Sequence, residues 1–292
     1  MNDTNVHTMP KTATEKTKNF YYKLHSGHTD AISQDLAIPL SYMWGLPESF
    51  FNNKIIVEAG CGGMGTQAIQ LQMLHPKELL VIDLSPDNIV LAQKNFSDFF
   101  HGKMERVRFQ QLDLGSILLP KDTFDIVHHR GVFQHIEHKN FALKNFNQCL
   151  KMNGYFLVNT YGKGGLLAFI SNTLRFVFRF IPEKRAIQFV KFFIKSPDYV
   201  SGIIDHLYVP IQKRFTKKQF IRYVEQFGFK MERYVGNQYI DYSKMHVPYK
   251  SRLFRFITIY LTPESKQRIK WLSFILYGDF AHKVIFKKVV NV

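Results

Sequence analysis

The sequence predicts an α/β fold built on a mainly parallel sheet with helices on both faces. Between Lys54 and Thr160, short β-rich runs alternate with amphipathic stretches, the order that builds parallel strands joined by crossover helices. Runs such as Ile55-Ile56-Val57 and Leu79-Leu80-Val81-Ile82 are apolar throughout rather than alternating, as strands covered on both faces are. The chain has 292 residues, 46% of them hydrophobic and 21% charged, which is enough for one sizeable core and excludes collagen-like and wholly disordered classes.

Taken in order, residues 1–17 are polar and lack apolar periodicity, so a disordered tail is expected. Residues 18–52 read as a helical cap carrying Tyr21, Tyr22, His25 and His28, punctuated by Ser33 and Pro39. Strands are expected at Lys54–Glu58, Glu78–Asp83, Val107–Leu112, Phe124–His128 and Tyr155–Thr160, and helices at Thr66–Leu74, Pro86–Phe99 and Phe141–Leu150. After Tyr161 the alternation breaks for an insertion over 163–210. It resumes with a helix at Thr216–Phe227, capped by Thr216 and stopped by Gly228, and a strand at Phe229–Val235. A second insertion, 237–279, precedes a last strand at Lys283–Val290, so residues 18–292 form one domain with two insertions.

Thirty-nine Lys and Arg against 23 Asp and Glu leave a formal charge of +16, and most of the excess sits in residues 163–200 and 250–292. Residues 163–200 hold seven basic and two acidic side chains, and residues 250–292 hold nine and two. Seven Phe lie between Phe169 and Phe193, with Arg175/Arg179 and Lys191/Lys195 at i, i+4. A solvated helix face, a nucleic-acid surface and an interfacial membrane helix all fit a basic, aromatic segment. Contact with an anionic membrane is the preferred functional reading, because Phe prevails over the Arg, Lys, Asn and Gln mix that reads phosphates and base edges. Cys61 and Cys149 make no disulfide framework and no Cys/His group has metal-ligand spacing, so no metal is expected and a reducing, cytoplasmic compartment fits. The N-terminus shows no apolar signal region. Arg175 and Arg179 interrupt the longest apolar run, Leu166–Ile181, so no transmembrane helix is expected.

The chemistry gathers around Gly60-Cys61-Gly62-Gly63-Met64-Gly65, a turn between a strand and a helix where glycines let the backbone approach a ligand. Asp83 ends the next strand, placed to accept from ribose hydroxyls. Gly60, Gly62 and Gly65 satisfy the dinucleotide pattern literally, so an NAD oxidoreductase is a candidate. Three features argue against it: Glu58 just before the turn, where a pyrophosphate would be repelled; Asp113 after a third strand; and the run Phe124–Ile136 leading into a helix and then Leu150–Val158.

These segments, in this order, resemble the class I S-adenosylmethionine-dependent methyltransferases of the small-molecule group, over about Lys54 to Thr160 and more weakly at Phe227-Gly228-Phe229. The resemblance implies a Rossmann-like, doubly wound seven-stranded sheet and S-adenosylmethionine as cofactor, with S-adenosylhomocysteine as product. It implies that Glu58, Gly60, Cys61, Gly62 and Gly63 hold the methionine moiety, Asp83 the ribose with Leu84 beside the adenine, and Asp113 the adenine amino group, flanked by Leu114. His129 and Arg130 would lie beside the methionine part and the transferred methyl. One departure stands out: Met64 occupies the family's third glycine position, with Gly65 one place later.

A sulfonium methyl is already activated, so such a protein mainly aligns an acceptor and excludes water. For a hydroxyl acceptor, His129 and His135 are candidate bases among the clustered His128, His129, His135 and His138, and Tyr22 is a candidate lid residue. Asp205, His206 and Tyr208 follow the first insertion, where acceptor-side residues would fall. The expected function is methyl transfer, by preference to an oxygen of a small or lipid-like acceptor. An RNA methyltransferase, with nucleic acid the less favoured partner, and a non-catalytic membrane-associated binding protein of the same fold are the alternatives.

Overall fold

The computed structural model describes residues 12–18, 36, 38–193, 197–236, 256–261, 265–278 and 281–292. Seven strands form one sheet in the order β3-β2-β1-β4-β5-β7-β6. They are β1 (Ile55–Ala59), β2 (Glu78–Asp83), β3 (Val107–Gln111), β4 (Phe124–Arg130), β5 (Leu150–Tyr161), β6 (Phe229–Tyr234) and β7 (Ala281–Lys288). Strands β1 to β5 pair in parallel, while β7 runs antiparallel between β5 and β6. The chain winds outward from β1 to β3, returns to β4 on the other side of β1, and so opens a crevice at the carboxyl ends of β1 and β4, where ligands bind in doubly wound folds.

Both faces are covered, as the all-apolar strands require. Helices α1 (Leu40–Trp44), α2 (Thr66–Met73) and α3 (Pro86–Phe99) pack Trp44, Ile69 and Phe96 with Ile56, Leu79 and Ile126 on one face. On the other face α4 (Lys139–Cys149) sets Leu143 and Phe146 against Val57, Val127 and Phe156. The strand period of two divides these residues, so neighbours in sequence go to opposite faces.

The first insertion folds as α5 (Gly165–Phe178), α6 (Glu183–Phe193) and α7 (Pro197–Tyr208), with a small apolar cluster of their own that includes Ala186, Val190 and Ile204. Then α8 (Lys217–Glu225) begins on a capping box: Thr216 Oγ1 accepts from Gln219 N, and the Gln219 side chain accepts from Thr216 N. Helix α9 (Lys270–Tyr277) meets α5 so closely that a Cβ on Gly165 would sit 2.3 Å from the Tyr277 carbonyl carbon. The last strand begins at Ala281, two residues before its expected start, and ends at Lys288, because Val289 and Val290 turn their N–H groups to the Gly228 carbonyl. Residues 13–18, most of them within the expected disordered tail, are helical. Tyr21, Tyr22, His25 and His28 lie outside the described residues, as do 237–255 of the second insertion.

Candidate functional site

A cavity of about 290 Å³ opens where β1, β2 and β4 end. Its floor is the turn after β1. Gly60 has φ +95°, and a Cβ there would meet Val132 Cγ2 at 2.6 Å, so the backbone and the loop after β4 touch only because the side chain is missing. The Gly60 and Cys61 N–H groups donate to the Ile82 carbonyl at 2.8 and 3.1 Å, tying the turn to β2. Gly65, with φ +65°, starts α2. Asn95 on α3 donates to the carbonyls of Gly63 and Met64, so the shifted glycine spacing still gives a held turn.

Asp83 ends β2 and gathers three donors. Its Oδ2 accepts from Gly62 N at 2.9 Å, and its Oδ1 from Ser85 N at 2.9 Å and Asn88 Nδ2 at 3.0 Å. Asp113 organises its own turn, accepting from Gly115 N at 2.8 Å and Ser116 Oγ at 2.9 Å. Both acids line the cavity, with Cys61, Gly63, Leu84 and Leu114. Burial, then the charges of Asp83 and Glu58, push the Cys61 thiol up, so it lines the cavity protonated. Arg130, the last residue of β4, is a cation among the lining residues.

The histidines divide by strand geometry rather than clustering. His128 points to the face of Trp44, whose Nε1–H donates to His128 Nε2 at 3.0 Å. That leaves the ring proton on Nδ1, which donates to Glu58 Oε2. Glu58 and His128 are fully buried behind the turn, and Glu58 Oε1 has no partner. His129 faces the other way: its Nδ1–H donates to the Ala59 carbonyl and its ring packs among Phe133, Phe146 and Phe156. Neither the His129 nor the Glu58 side chain lines the cavity. Desolvation lowers the His129 pKa to about 4, a neutral core histidine.

His135 does line the cavity. Its Nδ1–H donates to the Ile211 carbonyl at 2.7 Å, and its Nε2 accepts from Gln134 Nε2 at 3.0 Å. Burial lowers its pKa, so the ring is neutral with its lone pair on Nε2. Sequence reasoning missed Thr14 and Thr17, which reach the cavity from residues 13–18. Thr14 donates to Glu137 Oε2 through N–H (2.9 Å) and hydroxyl (2.6 Å), holding that carboxyl below the usual range. Nothing in a polar tail signals such a contact. Asn88 was also missed, although Ser85-Pro86-Asp87-Asn88 reads as a helix start whose side chains face the strand end. Among the described residues no group of three His, Cys, Asp or Glu is placed to hold a metal ion, and no helix is long and apolar enough to cross a membrane.

Residues 57–156 match the family model described as a methyltransferase domain. The malonyl-[acyl-carrier protein] O-methyltransferase of Paenibacillus sp. is 27% identical over 115 residues, 38% of this chain and 40% of that protein. An uncharacterized Synechococcus protein is 30% identical over 111 residues, 38% of this chain and 26% of that one. The chain thus aligns with less than half the length of these curated relatives. Among solved structures, an S-adenosylmethionine-dependent methyltransferase from Mesorhizobium loti covers 85% of this chain and 95% of its own at 15% identity and TM-score 0.50. PKMT2 from Rickettsia typhi in complex with AdoHcy covers 98% of this chain and 55% of its own at 17% identity and TM-score 0.54. At such identities the likeness carries the fold. Sheet order, glycine turn, strand-end acids and the family match agree: residues 57–156 carry a methyltransferase domain, set in the fold of these S-adenosylmethionine-dependent enzymes.

Proposed function

We propose that the chain transfers the methyl group of S-adenosylmethionine to an oxygen of a small or lipid-like acceptor, working at an anionic membrane surface. The observation that carries this is the cavity at the crevice, with the Gly60–Gly63 turn as floor and Asp83 and Asp113 on its walls. Its residues fit the cofactor. Gly62, which lines the cavity, has open space where a Cβ would stand. Asp83 retains one lone pair, on Oδ2, for a ribose hydroxyl beyond those given to its three donors. Leu84, Leu112 and Leu114 are apolar walls for an adenine, and Arg130 offers a guanidinium to the methionine carboxylate.

When bound, S-adenosylmethionine supplies an electrophilic methyl on a sulfonium. The chain itself has to orient the acceptor, keep water out, and take up the acceptor's proton if it is a hydroxyl. His135 is the proton acceptor that fits: it lines the cavity with its Nδ1–H anchored on Ile211, and its Nε2 takes up an acceptor's proton when the Gln134 amide that donates to it moves aside. His129 is set aside for that role because its ring is enclosed by phenylalanines. The name of the Paenibacillus relative supports an oxygen acceptor.

The insertion helices support the lipid-like acceptor and the membrane. Phe169, Phe176, Phe180 and Phe192 on α5, its C-terminal end and α6 are 59–81% exposed, and Trp271 and Phe274 on α9 are 67% and 70% exposed. The Arg179 guanidinium lies 4.3 and 4.6 Å from the Phe176 and Phe180 ring centroids, the mixed cationic and aromatic surface that enters a lipid interface. The test has two parts. S-adenosylmethionine and S-adenosylhomocysteine at about 100 times Kd should each raise stability by about 2.7 kcal/mol in thermal denaturation, with NAD as control. No stabilisation by either would refute the transferase reading. Co-sedimentation with phosphatidylglycerol vesicles but not phosphatidylcholine vesicles, weakened by salt, is the result expected of the membrane surface. Equal failure with both would remove it.

A further inference from the structure

Past His135 the structure holds a buried polar cluster that methyl transfer, as derived above, leaves unused. The segment before α8 is pinned along the end of β5: Lys213 N donates to the Gln134 carbonyl at 3.0 Å, Phe215 N to the Tyr161 carbonyl at 3.3 Å, and Lys163 N to the Phe215 carbonyl at 2.7 Å. Arg214 lies between these anchored neighbours and is 8% exposed. Its guanidinium carbon stands 5.4 Å from the Tyr161 ring centroid. The Nε and Nη1 atoms are buried with no hydrogen-bond partner.

The neighbours do not supply what Arg214 lacks. Arg175, a second guanidinium in the cluster, is spent on backbone: Nη1 donates to the His206 carbonyl at 3.3 Å and Nη2 to the Val209 carbonyl. Tyr161 donates its hydroxyl to Asp205 Oδ2 at 3.3 Å. Its ring bridges the cluster to the cofactor cavity, 5.8 Å from the His135 ring and 5.0 Å from that of His206. Burial lowers the pKa of both histidines, so neither adds charge. Among the described residues, two guanidinium groups therefore share the cluster with the Asp205 carboxylate. Buried donors of a charged group without partners are costly in a folded chain, and the free Nε–H and Nη1–H of Arg214 suit the oxygens of a carboxylate or phosphate.

We propose that Arg214 is an anion-binding subsite that takes the acid group, a carboxylate or a phosphate monoester, of the methyl acceptor, whose methylated oxygen lies toward His135. The assignment of the anion to the acceptor rests on the methyl-transfer reading. The binding of an anion at Arg214 does not.

The full chain, with and without S-adenosylhomocysteine, is titrated calorimetrically with octanoate, octyl phosphate, octanol and inorganic phosphate. An anionic octyl compound should bind at least about tenfold more tightly than octanol, the weight of a charge-assisted hydrogen bond, and R214M should erase that difference while the S-adenosylhomocysteine Kd stays unchanged. R214K, which keeps the charge but loses the fork, should retain part of it. Without ligand, R214M should melt no lower than the native chain, since it removes buried donors that have no partner. A lower melting temperature would make Arg214 a structural pin and overturn the proposal. Equal binding of octanol and the anions, or a preference that survives R214M, would also overturn it. Inorganic phosphate binding as tightly as octyl phosphate would overturn the acceptor assignment, marking a site for a free ion. If S-adenosylhomocysteine does not bind, the methyl-transfer reading fails, while the anion preference is still read from the same titrations.

Discussion

One added methyl group tests the glycine turn directly. In Gly60→Ala the new Cβ meets Val132 Cγ2 at 2.6 Å and Cγ1 at 3.0 Å, and the residue must hold φ +95°. The backbone conformation costs an alanine about 1–2 kcal/mol. The contact costs about 1–3 kcal/mol more, because valine is β-branched and cannot swing its methyls aside without moving backbone. The variant should therefore lose about 2–5 kcal/mol in urea denaturation, read as a lower midpoint at unchanged slope. Val132 is only half-buried. Val132→Ala alone should then cost under about 1 kcal/mol, and the double variant should recover the contact share while keeping the backbone share. If Gly60→Ala stays within about 0.5 kcal/mol of the native chain, or if Val132→Ala restores nothing, the close approach of turn and loop is wrong.

Three further outcomes follow from the same geometry. Asp83→Ala removes the acceptor of Gly62 N, Ser85 N and Asn88 Nδ2 together with the proposed ribose contact, so S-adenosylmethionine affinity should fall about a hundredfold by calorimetric titration. Trp44→Phe leaves His128 Nε2 buried without its donor and should cost about 1–3 kcal/mol in chemical denaturation. His129 titrates at about 4 when folded against about 6.5 unfolded, so below pH 6.5 the unfolded chain binds the extra proton. On the order of 3 kcal/mol of stability should then be lost as pH falls from 6.5 toward 4. His135, lowered by burial, adds in the same sense, and His129→Leu should flatten the slope in denaturation at stepped pH.

Much of the sheet was legible because parallel strands buried on both faces need apolar residues at every position, and Ile55-Ile56-Val57 and Leu79–Ile82 have them. Helix termini were legible where a side chain closes a backbone group, as Thr216 does. The strand-end acids Asp83 and Asp113 were legible for the same reason, since a strand's carboxyl end is where a loop can turn a side chain toward a ligand. The histidines misled because proximity in sequence is not proximity in a strand. His128 and His129 are adjacent yet serve opposite faces, one completing a relay from Trp44 to Glu58 and the other filling a phenylalanine pocket. Thr14 was illegible altogether, because its partner Glu137 is 123 residues away and a single hydroxyl–carboxylate contact leaves no periodicity.

The glycine spacing by itself admits a dinucleotide, and the charges around the turn decide between the two ligands. A pyrophosphate brings negative charge to the backbone of Gly60–Gly63, whereas a sulfonium brings positive charge near the same place. Glu58 lies behind that turn, Asp83 holds its Gly62 N–H, and both act on Cys61 in the sense that keeps its thiol from ionising. The same field repels an anion and draws a cation. Arg130 lines the same cavity and is the group proposed to meet the methionine carboxylate. The turn is thus shaped for a dinucleotide but charged for a sulfonium. Stabilisation by NAD equal to that by S-adenosylmethionine would refute this electrostatic argument, and Asp83→Asn should weaken S-adenosylmethionine binding more than binding of the neutral-sulfur product, S-adenosylhomocysteine.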